Sequence, residues 1–165
     1  MRDHRRRRGN RGVGVLHPRS AGGGRVSALT ADAGVGTELF SVTRSVDRAT
    51  LVRYAGASGD FNPIHWNERF ALEVGLPGVI AHGMLTMGVA GSALTDWLGD
   101  PTDVLSYGVR FTRPVPVPDP GAAELLIVAT IGAVDADAGT ARVDLRVSVE
   151  DKTVLGKAQA QVRLH

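Results

Sequence analysis

The sequence predicts an α+β domain in which an antiparallel sheet of about five strands wraps around one buried helix. Three observations carry that expectation. Residues 79–98, VIAHGMLTMGVAGSALTDWL, are apolar or small almost all round, as in a helix buried on every side. The last part of the chain changes period: Val143, Leu145, Val147 and Val149 alternate with Arg142, Asp144, Arg146 and Ser148. Period two belongs to half-buried strands. Finally, 165 residues suit one domain that folds without staples, and the chain contains no cysteine. Disulfides, thiolate metal sites and cysteine nucleophiles are thereby excluded, and a reducing, cytoplasmic setting is expected.

The net charge of +2 hides an asymmetry, because residues 1–30 hold eight arginines and one aspartate and leave 11 basic against 16 acidic residues for the rest. Residues 1–30, rich in Arg and Gly and poor in large apolar side chains, are expected to form a disordered tail ahead of one domain over 31–165. The start shows no apolar signal-peptide core. A basic arm of this kind can bind nucleic acid or an anionic membrane, but no aromatic residue interleaves the arginines for base stacking. A solvated tail, or translated upstream sequence with Val26 as the start if its codon is GTG, is the simpler expectation.

From residue 31 the elements follow in order. Residues 38–42 read as a short strand. A helix is expected over 47–57, capped by Ser45 or Asp47 and stopped by Gly59. A second helical turn over 68–74 ends at Gly75, and Pro77-Gly78 marks a loop. The run 79–98 is too short between His82 and Asp96 to cross a bilayer. Its Gly83, Gly88, Ala90 and Gly91 suggest close backbone packing. Strands are expected over 105–112 and 124–134, then through 143–149 and 154–164, with hairpin turns at 137–140 and at Asp151-Lys152. Residues 113–120, RPVPVPDP, cannot form a central strand and are expected as an extended edge or crossover.

The segment YAGASGDFNPIH, residues 54–65, places Asp60 and His65 five apart, roughly 140° around a helix and on opposite faces of a strand. Neither regular structure brings them together. Pro63 pushes Asn62 out of the α region, so Asn62-Pro63 turns the chain after the helix has ended, and in that turn the two side chains can converge. From spacing alone the structural reading is the simpler one, with Asp60 and Asn62 in Asx turns, His65 a satisfied polar residue and Gly83 a packing glycine.

GDFNPIH followed by IAHGM resembles the MaoC-like hydratase/dehydratase family of the hot-dog fold, which pairs a Gly-Asp-x-Asn-Pro-x-His loop with a His-Gly-Met opening of the central helix. The likeness runs from about residue 37 to 164. HWNE, DWLGDP and VRFTRPVPVP extend it toward the catalytic subunits of actinobacterial heterodimeric (3R)-hydroxyacyl-ACP dehydratases. The resemblance implies reversible dehydration of (3R)-hydroxyacyl thioesters to trans-2-enoyl thioesters, with Asp60 and His65 as catalytic dyad and the Gly83 N–H as oxyanion donor. It also implies an acyl-ACP or acyl-CoA substrate, no cofactor, and a dimer with a like subunit or with a dyad-less one. One departure stands out: where many single-subunit relatives carry Ser eight residues after the oxyanion Gly, this chain has Gly91, with Ser92 adjacent.

The chemistry fits those residue types. Dehydration removes a proton from C2 while the C3 hydroxyl leaves as water, which takes one base and one acid. His65 is assigned as the C2 base and Asp60 as the acid. An aspartate near its ordinary pKa of about 3.9 is a poor acid, so apolar surroundings are expected around Asp60. The first turn of a helix near His82 has free N–H groups for the thioester oxyanion. His82 itself is expected to anchor the helix start, and Trp66, Trp97, Met84 and Met87 to line the core or a substrate tunnel. The competing functions are a homodimeric (R)-specific enoyl-CoA hydratase, a hot-dog thioesterase, a non-catalytic partner subunit, and a non-enzymatic binder of nucleic acid or membrane through the Arg-rich tail.

Overall fold

The computed structural model describes residues 29–165. The tail expected over 1–30 lies outside the described residues except for its last two. Of these Leu29 is buried in the core, and its carbonyl accepts the His165 N–H at 3.0 Å.

Five strands form one antiparallel sheet in the order β1-β3-β4-β5-β2: β1 (Glu38–Asp47), β2 (Val104–Phe111), β3 (Ala122–Asp135), β4 (Thr140–Val149) and β5 (Lys152–Arg163). The expected alternation holds along β4, where Ala141, Val143, Leu145 and Val147 turn inward. The β4–β5 hairpin turns at Glu150 and Asp151, both with positive φ (48° and 62°), one residue earlier than expected. Two left-handed residues match the twist of a tight hairpin. Along β5 the strict alternation fails. Lys157 adopts φ 46° and the β2 and β4 ladders shift register beside it, so Val154 and Leu155 are both buried before Ala158, Ala160 and Val162 resume the period. A bulge of this kind re-aims the strand end.

β1 is longer than the five residues expected, since it keeps pairing with β3 as far as Asp47↔Ala122. Its polar residues hid that extension, for only Val46 is buried. Helix α1 (Arg48–Ser58) follows directly. Asp47 is its cap, accepting the Thr50 N–H, while Ser45 stays in β1 and donates to Glu124. Gly59, at φ 76°, closes the helix in the left-handed conformation that glycine adopts at no steric cost. The short α2 (Glu68–Glu73) is capped by Asn67.

The central helix α3 (Gly83–Leu98) starts four residues later than the apolar run does. Residues 79–81 are instead extended and pair with the proline-rich segment: the Val117 N–H donates to Val79 O at 2.9 Å and the Ala81 N–H to Val115 O at 2.8 Å. Residues 113–120 are thus the crossover from β2 to β3, and the two sheet edges, β1 and β2, are elsewhere. Alternate prolines leave the valines to bond and to bury, at 3% and 1% exposure for Val115 and Val117. Nor is α3 buried on every side. Thr86, Ala90, Ala93 and Leu94 face the sheet, whereas Met84, Gly88, Ser92 and Asp96 form an exposed stripe at i, i+4 spacing. One sheet covers one side of a helix, and this stripe is the other side. Among the described residues no helix is long and apolar enough to cross a membrane.

Candidate active site

The loop after α1 is built by local hydrogen bonds. The Asp60 N–H donates to Ser58 Oγ at 3.2 Å, the Asn62 N–H to Asp60 Oδ1 at 3.2 Å, and the Ile64 N–H to Asn62 Oδ1 at 3.3 Å. Pro63 opens a 3-10 turn, Pro63–His65, for which Asn62 is the cap. The structural reading of Asp60 and Asn62 and the functional one therefore coincide: Asx turns bend the loop, and the bend brings Asp60 toward His65.

His65 is buried, and its Nδ1–H donates to Ile80 O at 2.8 Å. That bond fixes the tautomer, because a carbonyl only accepts, and it leaves the lone pair of the neutral ring on Nε2. Nε2 lies 3.9 Å from Asp60 Oδ2. The gap is too long for a direct hydrogen bond; with the carboxylate ionised both atoms accept, and a water with one hydrogen directed at each fits between them. The Asp60 side chain is 52% exposed, so this chain alone does not supply the apolar surroundings expected of it. The surface there is uncovered: Phe61, Trp66 and Met84 are 62%, 51% and 57% exposed. Trp66 and Met84 are thus not core residues of this subunit, while Met87 and Trp97 are half-buried.

Gly83 is the first residue of α3, and no side chain caps the helix start. The helix start, whose first N–H groups have no intrahelical acceptor and lie at the positive end of the helix dipole, borders through Gly83 a cavity of about 410 Å³, lined also by His65, Ile80, Thr86 and Phe111 among others. A Cβ on Gly83 would stand 3.1 Å from Phe111 Cε1, tighter than ordinary contact, so the glycine serves the fit of that ring as well as access to the backbone. Sequence reasoning missed Phe111 and Thr86 as wall residues, since Phe111 stood only within the general likeness of VRFTRPVPVP and Thr86 within the apolar helical run. At Gly91, the departure from the Ser-bearing pattern, a Cβ would stand 3.2 Å from Tyr107 Cε1, and the Tyr107 hydroxyl donates to Met87 O. Burial pushes that phenol up to about 12, so it stays protonated.

His82 is 1% exposed and anchors the helix start as expected, its Nε2–H donating to Asp60 O at 3.1 Å. Its ring stacks on His65 with centroids 3.8 Å apart and planes inclined by 23°. Burial holds its pKa below the ordinary histidine range. Asp60, His65 and His82 each offer a ligand atom within 4.8 Å of the others. The two rings are stacked, and lone pairs that lie in the planes of stacked rings run side by side rather than converge on one point, which does not suit a metal.

Comparison with known proteins bears on the whole domain. A family model described as MaoC like domain matches residues 32–150. The chain is 44% identical over 70 residues to "3-hydroxyacyl-thioester dehydratase X" of Mycobacterium tuberculosis, which covers 42% of this chain and 24% of that protein. It is 31% identical over 80 residues to the "(R)-specific enoyl-CoA hydratase" of Rhodospirillum rubrum, covering 48% of this chain and 56% of that one. A solved structure titled "MaoC-like dehydratase" superposes with a TM-score of 0.80 at 38% identity, over 84% of this chain and 43% of the other. The chain thus spans only about a quarter of the length of the first of these relatives.

Proposed function

We propose that this chain, which belongs to the MaoC-like domain family, catalyses the reversible dehydration of (3R)-hydroxyacyl thioesters to trans-2-enoyl thioesters. The observation that carries the proposal is the His65 Nε2 lone pair facing the Asp60 carboxylate at 3.9 Å beside an uncapped helix start. In the dehydration direction His65 Nε2 takes the C2 proton, the C3–O bond breaks as a protonated Asp60 gives its proton to the departing oxygen, water leaves, and the proton on His65 then passes back to Asp60 through solvent. The Gly83 N–H holds the thioester oxygen while charge builds there. Hydration runs the same steps backward. Each proton-transfer group is expected to contribute on the order of 10²-fold or more.

The test is an assay of the purified chain with crotonyl-CoA and longer trans-2-enoyl thioesters, following loss of the enoyl absorbance and the configuration of the product. Turnover to the (3R)-hydroxyacyl thioester supports the reading, and its absence with every thioester, alone and with a second hot-dog subunit, ends it. A second subunit is part of the proposal, because the exposed Phe61, Trp66 and Met84 lie on the segments that carry the dyad and the helix start. Likeness to an (R)-specific enoyl-CoA hydratase favours a second reading, the same chemistry in a homodimer on CoA substrates. Activity of the chain alone, with a dimer mass by light scattering, selects it. Turnover that survives removal of residues 1–28, a truncation that spares the buried Leu29, rules out the tail as the functional part. The setting we infer is cytoplasmic, in keeping with a chain free of cysteine.

A further inference from the structure

Asp60 presents a positioning problem. Its side chain is half exposed, so packing does not fix it, and two of the hydrogen bonds that hold it, to Ser58 Oγ and from the Asn62 N–H, come from its own loop. A third comes from outside. The His82 Nε2–H reaches Asp60 O from the residue that precedes α3, across 22 positions of sequence. The same ring stacks on His65, and the same backbone continues into Gly83.

We propose that His82 is a positioning residue that sets the carboxylate of Asp60, the imidazole of His65 and the N–H groups of the α3 start in one register. The inference rests on the dehydratase reading for its kinetics and on the local geometry for everything else. For this role the donor must persist at every working pH while the ring carries no charge against His65. The site enforces both conditions. Nδ1 of His82 is fully buried and has no hydrogen-bond partner, so a second N–H there would find no acceptor. A cation at His82 would also face His65 from the 3-10 turn at a ring separation of 3.8 Å. The other titratable groups facing it are Tyr54 of α1, whose ring centroid is 4.9 Å away, and Asp60 of the loop. Burial outweighs the one favourable charge, that of Asp60, and holds the ring neutral. His82 is thus a neutral donor at Nε2.

Two substitutions separate the register from mere packing. His82→Phe keeps an aromatic ring against His65 and removes the donor, whereas His82→Gln places an amide N–H near the position of Nε2. For the hydration assay we expect His82→Phe to lose on the order of 10²-fold in kcat with KM changed less than about threefold, as for a misplacement of about 1 Å. His82→Gln should recover at least about tenfold of that loss. Equal losses in both variants, tracking a fall in Tm, would mean a structural role only, and wild-type kcat in His82→Phe would overturn the proposal outright. A third readout is independent of turnover. Nitrogen-detected NMR of the imidazoles should find His82 neutral with its proton on Nε2 at the pH of the assay. A protonated His82 there, or a proton on Nδ1, overturns the proposal even in an active enzyme. If wild type is inactive while the NMR result holds, the functional reading fails and the hydrogen-bond register stands.

Discussion

His65 and Asp60 face one another at 3.9 Å, yet their side chains are 8% and 52% exposed. The two sides of the site differ in the same way throughout. On the inner side His65 is tied to Ile80 O, His82 is buried against it, and Thr86 lies within the helix face that packs on the sheet. On the outer side Asp60 is held only by hydrogen bonds, among exposed Phe61, Trp66 and Met84. The base, whose lone pair must point one way, sits where packing and a fixed tautomer aim it. The acid sits where the substrate, and by our proposal a second subunit, would complete its surroundings. The chain thus carries both groups of the proposed dyad but only part of the enclosure.

Substitutions can break that comparison at several points. The largest effects belong to the dyad: His65→Ala and Asp60→Asn should each lower enoyl thioester hydration by at least about 10²-fold with circular dichroism unchanged. Near-native turnover in either variant removes the dyad. Gly83→Val should lose on the order of 10²-fold in kcat/KM, as for one oxyanion donor, but its side chain would also press on Phe111. The double variant Gly83→Val, Phe111→Ala sharpens the point. If the second change restores activity, the loss came from the ring, and if it does not, it came from the blocked N–H. Inside against outside is then tested by stability. Leu125→Ala, at a fully buried position of β3, should cost about 2–5 kcal/mol by denaturant unfolding. Phe61→Ser should leave subunit stability nearly unchanged and shift sedimentation toward monomer. A Phe61→Ser protein that assembles like wild type would show that this surface is not the outer wall of the dimer.

How far the sequence could be read follows the same division. Helix α1, with an acidic cap and a terminal glycine, announces itself, as does the alternation of β4, because both signals are local. Pro63 after Asn62 placed Asp60 and His65 at a bend, as found, and the local Asx bonds explain why five residues suffice. What was not legible depends on residues distant in sequence. Val79 and Ile80 look helical next to the apolar run, but their bonds go to the proline-rich crossover 36 to 38 positions later, as the pairing of Ile80 with Pro116 and of Val79 with Val117 makes plain. The exposed stripe of α3 is as apolar at Met84 as a buried face would be, so polarity gave no warning of it. The bond from His82 to Asp60 O required knowing that the loop returns to the helix start.

The strand order has a consequence in time. β3, β4 and β5 form a meander joined by turns at residues 136–139 and 150–151, whereas β1 meets β3 across a separation such as the 79 residues between Ser45 and Glu124. Every residue of the site except the cavity-wall residues Val154 and Leu155 of β5 lies inside that long loop. Short loops close at lower entropic cost than long ones, so the meander is expected to organise first and the segment bearing Asp60, His65 and α3 to dock onto it late. Val143→Ala in β4 should then slow refolding, while Leu94→Ala in α3 should chiefly speed unfolding, a difference that stopped-flow measurements on the two variants will read directly. The part of the molecule that does the chemistry is, on this account, the last to arrive and the first to leave.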